Sequence, residues 1–204
     1  MRTEPPGITN TGAPNRRSRL TPEREAEIYA ATLDLLRKSG YAALTMEAIA
    51  ARARASKATL YRQWQTKPRL VAAALRHTKP LSLFGVDTGS LRGDLHETAR
   101  RVALGAAPET ALLASLAHAI LADPELGLAL RETVVAPESA HMDTLIARAV
   151  ARGELPPDSP AAAFLPQLMV GAVTARPLVE GCVVDEDYLS RYVDAVVLPA
   201  LRAR

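Results

Sequence analysis

Apolar residues recur every three to four positions along most of the chain, which is the spacing of one face of a helix. The first such run lies between Thr21 and Gly40. Thr21 can serve as an N-cap, Pro22 suits the first helical position, and Gly40 is typical of the residue just past a helix C-terminus. The sequence therefore predicts a helix here, and its apolar face consists of Ile28, Ala31, Leu35 and Leu36.

Shorter helices are predicted directly after this one. Thr45 is a good N-cap for a helix that ends near Arg52, and Ser56 is a good N-cap for the next helix, Lys57 to about Trp64. The few residues between them predict a tight connection. A fourth helix is predicted to open at residues 66–68 and to end at about residue 78.

The second half of the chain is predicted to be helical as well. Alanine and leucine are abundant and runs of β-branched residues are scarce, so the expected fold class is all-α. Pro137 is predicted to kink or interrupt the helix over residues 124–152. The predicted helices cover residues 91–106, 108–122, 124–152, 160–180 and 185–203.

Positive charge is concentrated at the start of the chain, although the net charge is only +3. Residues 1–80 hold 15 Lys and Arg against 6 Asp and Glu, a balance of +9, and residues 81–204 hold 10 against 16, a balance of −6. This asymmetry fits contact with a polyanion such as nucleic acid, and it equally fits an ordinary solvated basic face. Residues 1–20 are expected to form a disordered basic arm, either a DNA-contacting arm or a solubilising tail.

The composition argues against several other classes of protein. The single cysteine, Cys182, excludes an internal disulfide and a cysteine-based zinc site, and it favours a cytoplasmic protein. No apolar stretch is expected to reach the ~18–20 residues of a membrane helix, and the N-terminus does not resemble a signal peptide. The four histidines have no metal-ligand spacing, and no glycine-rich phosphate loop follows a strand. We therefore expect no cofactor, no metal site and no catalytic activity.

The pair of short helices on either side of residues 53–56 has the layout of a helix-turn-helix motif. The second helix of such a pair enters the DNA major groove, which is ~12 Å wide, so its outer face must be polar. Lys57, Thr59, Tyr61 and Arg62 meet this requirement, and Leu60 is the large apolar residue that anchors the helix.

The residues of this motif resemble the DNA-binding signature of the TetR family of transcriptional regulators. The resemblance covers about residues 22–78. It rests on Thr45-Met46-Glu47-Ala48-Ile49-Ala50, on Ala53-Arg54-Ala55-Ser56-Lys57-Ala58-Thr59-Leu60-Tyr61, and on Trp64 and Lys67. The family's layout implies a helix-turn-helix DNA-binding domain at 21–79 and a helical ligand-binding and dimerisation domain at 80–204. It also implies a homodimer on a palindromic operator in double-stranded DNA, and a repressor that a small apolar effector of unknown identity releases.

The resemblance also implies roles for individual residues at the DNA. Lys57 and Thr59 are expected near base edges, whereas Tyr61, Arg62 and Trp64 are expected on the sugar-phosphate backbone. For Trp64, packing inside the domain is an equal alternative. The residues expected to contact phosphates or to belong to the same surface are Thr45, Arg54, Ser56 and Lys67. Arg54 departs from the family pattern because this turn position is usually glycine, and in a left-handed conformation another residue costs about 1 kcal/mol.

Two further sets of residues are predicted in the second domain. Apolar helical segments could line a ligand cavity, although simple core packing is an alternative for each residue: Leu112, Leu116, His118, Met142, Phe164, Gln167 and Leu168. The last two helices are expected to form the dimer face, with packing inside one chain as the alternative: Leu165, Met169, Ala172, Tyr188, Tyr192 and Val196.

Two other functions stay open at the level of sequence. One is an all-helical enzyme. The other is a nucleoid-type DNA-binding protein that has no ligand cavity and binds many DNA sequences about equally.

Overall fold

The computed structural model describes residues 20–77, 83–106 and 110–203, and its regular elements there are all helical. The predicted all-α fold is therefore confirmed. The predicted N-terminal arm lies outside the described residues, except for Leu20.

The helices follow the predicted order. Four helices come first: α1 (Pro22–Ala43), α2 (Met46–Arg52), α3 (Lys57–Trp64) and α4 (Lys67–His77). Seven helices follow: α5 (Leu91–Ala106), α6 (Thr110–Ala122), α7 (Pro124–Leu130), α8 (Ala136–Ala151), α9 (Leu165–Glu180), α10 (Glu186–Tyr192) and α11 (Leu198–Arg202). We call α1–α4 the head and α5–α11 the body.

The predicted caps form at the helix starts of the head. The side chains of Thr21, Thr45 and Ser56 each accept a hydrogen bond from the backbone N–H three residues further on. Gly40 has φ 73°, a left-handed conformation, and there the regular geometry of α1 is interrupted. A short helical segment then continues to Ala43, which the sequence did not predict.

The interruption predicted at Pro137 takes the form of a π-helical turn, Arg131–Val135, between α7 and α8. Proline has no N–H, so it cannot donate the hydrogen bond that the carbonyl of Thr133, four residues earlier, would accept in an α-helix. Arg76, in the last turn of α4, donates to this carbonyl instead, with Nη1 2.7 Å from the oxygen. A second π-helical turn, Val193–Val197, separates α10 from α11, which were predicted as one helix.

Two clusters of buried apolar side chains hold the helices together. The first contains residues of α1–α4 together with residues of α6 and α7 such as Leu116, Leu126 and Leu130. The second contains residues of α5 and α8–α11 and the π-helical turn between α10 and α11. The core of the head therefore continues into the body, and α1 packs on α6 while α4 packs on α7.

A partly buried hydrogen bond also joins the two parts of the chain. The hydroxyl of Tyr41, near the end of α1, donates to Oδ2 of Asp123 over 2.6 Å, and Asp123 also caps α7. Burial and this hydrogen bond raise the pKa of Tyr41, and the same bond holds the pKa of Asp123 below its usual range. Tyr41 thus donates as a neutral hydroxyl to the ionised carboxylate of Asp123.

The structure corrects one prediction about apolar stretches. The helical segment Ala162–Glu180 has 19 residues and a mean hydropathy of 1.3 in its most apolar window, so by length and composition alone it could cross a membrane. One such helix is weak evidence for a membrane protein, because core helices of soluble proteins pass the same test. Its exposed apolar surface still requires an explanation, and only 22% of that window is buried inside the chain.

We predict that Tyr41→Phe lowers the free energy of unfolding by about 1–2 kcal/mol, because it removes a partly buried hydrogen bond to a charged group. Urea unfolding followed by circular dichroism measures this change. Tyr61→Phe is the matched control, since Tyr61 is 47% exposed, and its expected change is under about 0.5 kcal/mol. Equal stability of Tyr41→Phe and the wild-type protein would show that this bond does not hold the head to the body.

Candidate nucleic-acid interface

Helices α2 and α3 are joined by a tight turn with a defined hydrogen-bond pattern. The N–H of Arg54 is donated to the carbonyl of Ala51, and the N–H of Ala55 is donated to the carbonyl of Ala50. These two bonds form a Schellman motif, in which the residue just past the helix adopts the left-handed conformation. That residue is Arg54, with φ 51°. Arg54 therefore has the left-handed conformation in which a non-glycine residue is strained.

Helix α3 turns one face to solvent and one to the core. Leu60 is fully buried, as predicted, and anchors α3. Thr59 is half-buried, and its hydroxyl lies 2.8 Å from that of Ser56. The exposed side chains of the helix are Lys57, Ala58, Tyr61, Arg62 and Gln63. Of the side chains predicted near base edges and backbone, Lys57, Tyr61 and Arg62 thus share the exposed face, and Thr59 is half-exposed.

The polar groups of this face have partners that DNA could replace. Nζ of Lys57 lies 3.0 Å from Oε1 of Glu47 on α2, and this bond holds the pKa of Glu47 below its usual range. Both side chains are more than half exposed, and an ion pair of this kind is worth only about 0–1 kcal/mol. The hydroxyl of Thr45 accepts the N–H of Ala48, and its own proton stays available to an acceptor. The ion pair between Lys57 and Glu47 is therefore weak enough for Lys57 to release Glu47 and contact DNA instead.

Trp64 lies inside the head. It is 7% exposed, and its indole N–H is donated to the hydroxyl of Tyr29 on α1 over 3.3 Å. The two rings make an edge-to-face contact. The prediction of a contact to the DNA backbone is corrected accordingly: Trp64 anchors the end of α3 against α1, and its N–H does not point outward.

Lys67, at the start of α4, is partly buried and already engaged. Its Nζ donates to the carbonyl of Tyr41 over 3.1 Å and lies 4.0 Å from the centre of the Tyr41 ring. A phosphate contact from this lysine would require the side chain to leave both partners.

Arg24 is a residue of this region that the sequence analysis missed. It lies in the first turn of α1, and its Nη2 donates to the carbonyls of Ala53 over 2.6 Å and Arg54 over 2.8 Å. A signal was present in the sequence. Arg24 is a cation in the first turn of a helix, where the helix dipole disfavours positive charge, so a partner elsewhere in the fold could have been expected.

The predicted ligand residues are not brought together. Leu112 and Leu116 belong to the first apolar cluster, whereas Met142 and Leu168 belong to or pack against the second. His118, Phe164 and Gln167 are exposed, so they are not the buried lining that the sequence predicted.

The predicted dimer residues divide into three groups by their burial. Leu165, Met169 and Ala172 are buried inside the single chain, which is the alternative stated for them, and Tyr188 and Tyr192 are half-buried. Val196 is 40% exposed. The opposite face of α9 is exposed instead, and it carries Val170, Gly171, Thr174 and Leu178. We call these four residues the α9 stripe.

A cavity of about 270 Å³ opens where the head meets the body. Its walls include Trp64 and Arg69 from the head, and Leu128, Glu132 and Thr133 from α7 and the π-helical turn. None of the predicted ligand residues lines it. Within the described residues, no group of three His, Cys, Asp or Glu side chains could hold a metal ion.

Comparison with known families matches both parts of the chain. Residues 28–74 match the family described as "Bacterial regulatory proteins, tetR family". Residues 86–196 match the family described as "Tetracyclin repressor-like, C-terminal domain".

Individual relatives agree with this assignment. The chain is 34% identical over 183 residues to the DNA-binding transcriptional repressor TetR of Mycobacteroides abscessus, covering 88% of this chain and 94% of that protein. It is 33% identical over 180 residues to an uncharacterised HTH-type transcriptional regulator of Mycobacterium tuberculosis, covering 87% and 88%. The crystal structure of the TetR family transcription regulator SCO0332 superimposes with a TM-score of 0.64 at 29% identity, covering 87% of this chain and 98% of that one.

These relatives are transcription regulators and not enzymes, and the helix-turn-helix geometry described above is the one that their family uses to bind DNA. The chain belongs to the TetR family of transcriptional regulators.

Proposed function

We propose that this regulator represses transcription by binding a palindromic operator as a homodimer, and that a small ligand releases it. The observation that carries the DNA-binding part is the outer face of α3. Cationic and hydroxyl side chains project from it, while Leu60 and Trp64 fix its inner face to the core. Such a helix can enter the major groove without losing its packing. Because the relevant DNA is the genome, we propose a cytoplasmic location.

The proposed contacts divide into two kinds. Lys57 and Thr59, at the start of α3, are proposed to approach base edges and thereby select sequence. Tyr61 and Arg62 are proposed to contact the sugar-phosphate backbone and thereby supply affinity and register. Thr45, Ser56 and Arg54 are exposed beside them and are proposed to complete the phosphate contacts. Lys67 would join only after it releases Tyr41.

We propose that the dimer forms through the α9 stripe. Its four residues lie on one helix face by their spacing, and Val170 and Leu178 are 61% and 87% exposed. A Cβ added at Gly171 would meet nothing within 4 Å in the single chain, so a partner helix could approach closely there. A second copy of α9 would bury this apolar surface, and it explains why a membrane-length apolar helix is found in a DNA-binding protein. Val196 lies on another exposed face and is the remaining candidate from the sequence.

The proposed ligand response requires that the body move the head. Among the described residues, polar links that cross this junction include Tyr41 to Asp123, and Arg76 to the carbonyl of Thr133, to which Pro137 cannot donate the α-helical hydrogen bond. The first apolar cluster is shared across it as well. A ligand that favours one arrangement of α6 and α7 would therefore also bias α1 and α4, by as much as its affinity differs between the two arrangements.

The function is tested by selecting genomic DNA fragments with the purified protein at near-physiological salt and sequencing them. We predict enrichment of one palindromic sequence whose half-site centres lie about 10 base pairs apart, one turn of B-DNA. Enrichment of no sequence despite DNA binding would contradict specific regulation and support a nucleoid-type protein. Absence of DNA binding, in a sample shown by mass spectrometry to be free of bound ligand, would contradict the proposed function itself.

Two variants sharpen this test on the selected DNA. Arg62→Gln should weaken binding to operator and unrelated DNA alike and reduce the salt slope by about 0.9, because one phosphate contact is lost. Thr59→Ala should instead reduce the difference in binding affinity between operator and unrelated DNA. Arg202→Gln, at an exposed arginine of α11 in the body, is the matched control and should change neither property.

The dimer proposal has its own test. Leu178→Glu places a charge in the α9 stripe, and we predict that it converts the dimer to a monomer in light scattering at micromolar concentration. Leu121→Glu, at a leucine that is 85% exposed on α6, is the control and should stay dimeric. A Leu178→Glu protein that remains fully dimeric would place the interface elsewhere.

A further inference from the structure

The turn before α3 contains a residue that is poorly suited to its backbone conformation. Arg54 stands in the left-handed region with φ 51°, where Cβ crowds the following carbonyl oxygen and where glycine is the ordinary choice. The Schellman bonds of the turn are nevertheless intact. Something other than the residue's own preference must stabilise this geometry.

We propose that Arg24 is the residue that holds this turn, and that it acts as a positioning residue for the DNA-reading helix. One nitrogen of its guanidinium donates to the carbonyls of both Ala53 and Arg54, the two residues at which the chain turns. Its other terminal nitrogen is paired with Glu27, one turn further along α1. The guanidinium is thus fixed from its own helix and aimed at the end of α2.

The chemistry of the contact suits this role. Carbonyls at a helix C-terminus carry the negative end of the helix dipole and lack intrahelical donors. The carbonyl of Ala53, the C-cap of α2, is one of these, and the carbonyl of Arg54 follows directly after it, so a cation that donates to both is stabilising. Ser56, the N-cap of α3, follows the turn after a single residue. The direction in which α3 leaves the turn therefore depends on the backbone that Arg24 holds.

The contacts to Ala53 and Arg54, and not the dipole of α1, favour an arginine at position 24. In the first turn of α1 its positive charge opposes the helix dipole. Replacement by methionine, which keeps an apolar stem and removes the donors, should leave α1 intact or slightly favour it. Any loss of order at the turn then comes from the missing contacts to Ala53 and Arg54.

The decisive measurement is amide hydrogen exchange at Ala55, whose N–H closes the Schellman motif. We predict that Arg24→Met speeds this exchange about tenfold under native conditions. In an Arg54→Gly background, which relieves the strained conformation, the same replacement should speed it about threefold or less. Arg24→Lys, which keeps one donor group, should fall between. Arg69→Met, at an exposed arginine of α4, is the matched control and should change nothing at the turn.

The consequence for DNA binding rests on the proposed function and has a separate readout. On the selected operator, Arg24→Met should lose about tenfold in affinity while the salt slope and the affinity for unrelated DNA stay within about twofold, and Arg54→Gly should restore most of the loss. A salt slope reduced by about 0.9 without rescue would mean that Arg24 contacts phosphate, and it would overturn the proposal. Unchanged exchange at Ala55 would overturn it whether or not the protein binds DNA. If Arg24→Met does not fold, the Arg24→Lys variant carries the same comparison.

Discussion

The structure depends most on the four-residue connection between α2 and α3, residues 53–56, because it decides where the polar face of α3 points. Within that connection a backbone preference and a tertiary contact oppose each other: Arg54 disfavours the left-handed conformation, and the guanidinium of Arg24 secures the carbonyls on either side of it. The strain at a non-glycine residue there is of order 1–2 kcal/mol, and hydrogen bonds from a charged donor are of comparable size. The orientation of α3 is therefore set by the long-range contact from Arg24 and not by the backbone preference of the turn itself.

The rest of the head serves the same end. Trp64 and Leu60 fix the inner side of α3, and Trp64 does so with its ring and its indole N–H together. The core of the head does not close on itself, because residues of α6 and α7 complete it. A helix-turn-helix head that shares its core with the body cannot change its angle without repacking α6 and α7, which is the coupling that the proposed ligand response requires. Pro137 contributes by freeing a carbonyl that α4 then uses.

Local rules predicted much of this structure from the sequence. The caps at Thr21, Thr45 and Ser56 and the bounds of α2 and α3 follow from interactions within a few residues, and these were predicted. For Arg54 the sequence predicted only the cost of a left-handed conformation, which the structure then shows. What was missed depends on contacts between distant residues. No local pattern shows that Arg24 reaches residue 53, or that Trp64 meets Tyr29. For α9 the sequence left open whether Leu165 and Met169 face a partner chain or the core of their own chain, since both faces of this helix are apolar and only packing decides that they lie inside.

The central claim is that the outer face of α3 lies in the major groove of its operator, and methylation protection with dimethyl sulfate tests it most directly. The reagent methylates guanine N7 in the major groove and adenine N3 in the minor groove, so it reports which groove the protein covers. We predict protection of guanine N7 in two patches about one helical turn apart, and loss of that pattern in the Arg24→Met protein at equal occupancy. Protection confined to the minor groove, or a bound operator without protected guanine N7 in either half-site, would contradict it.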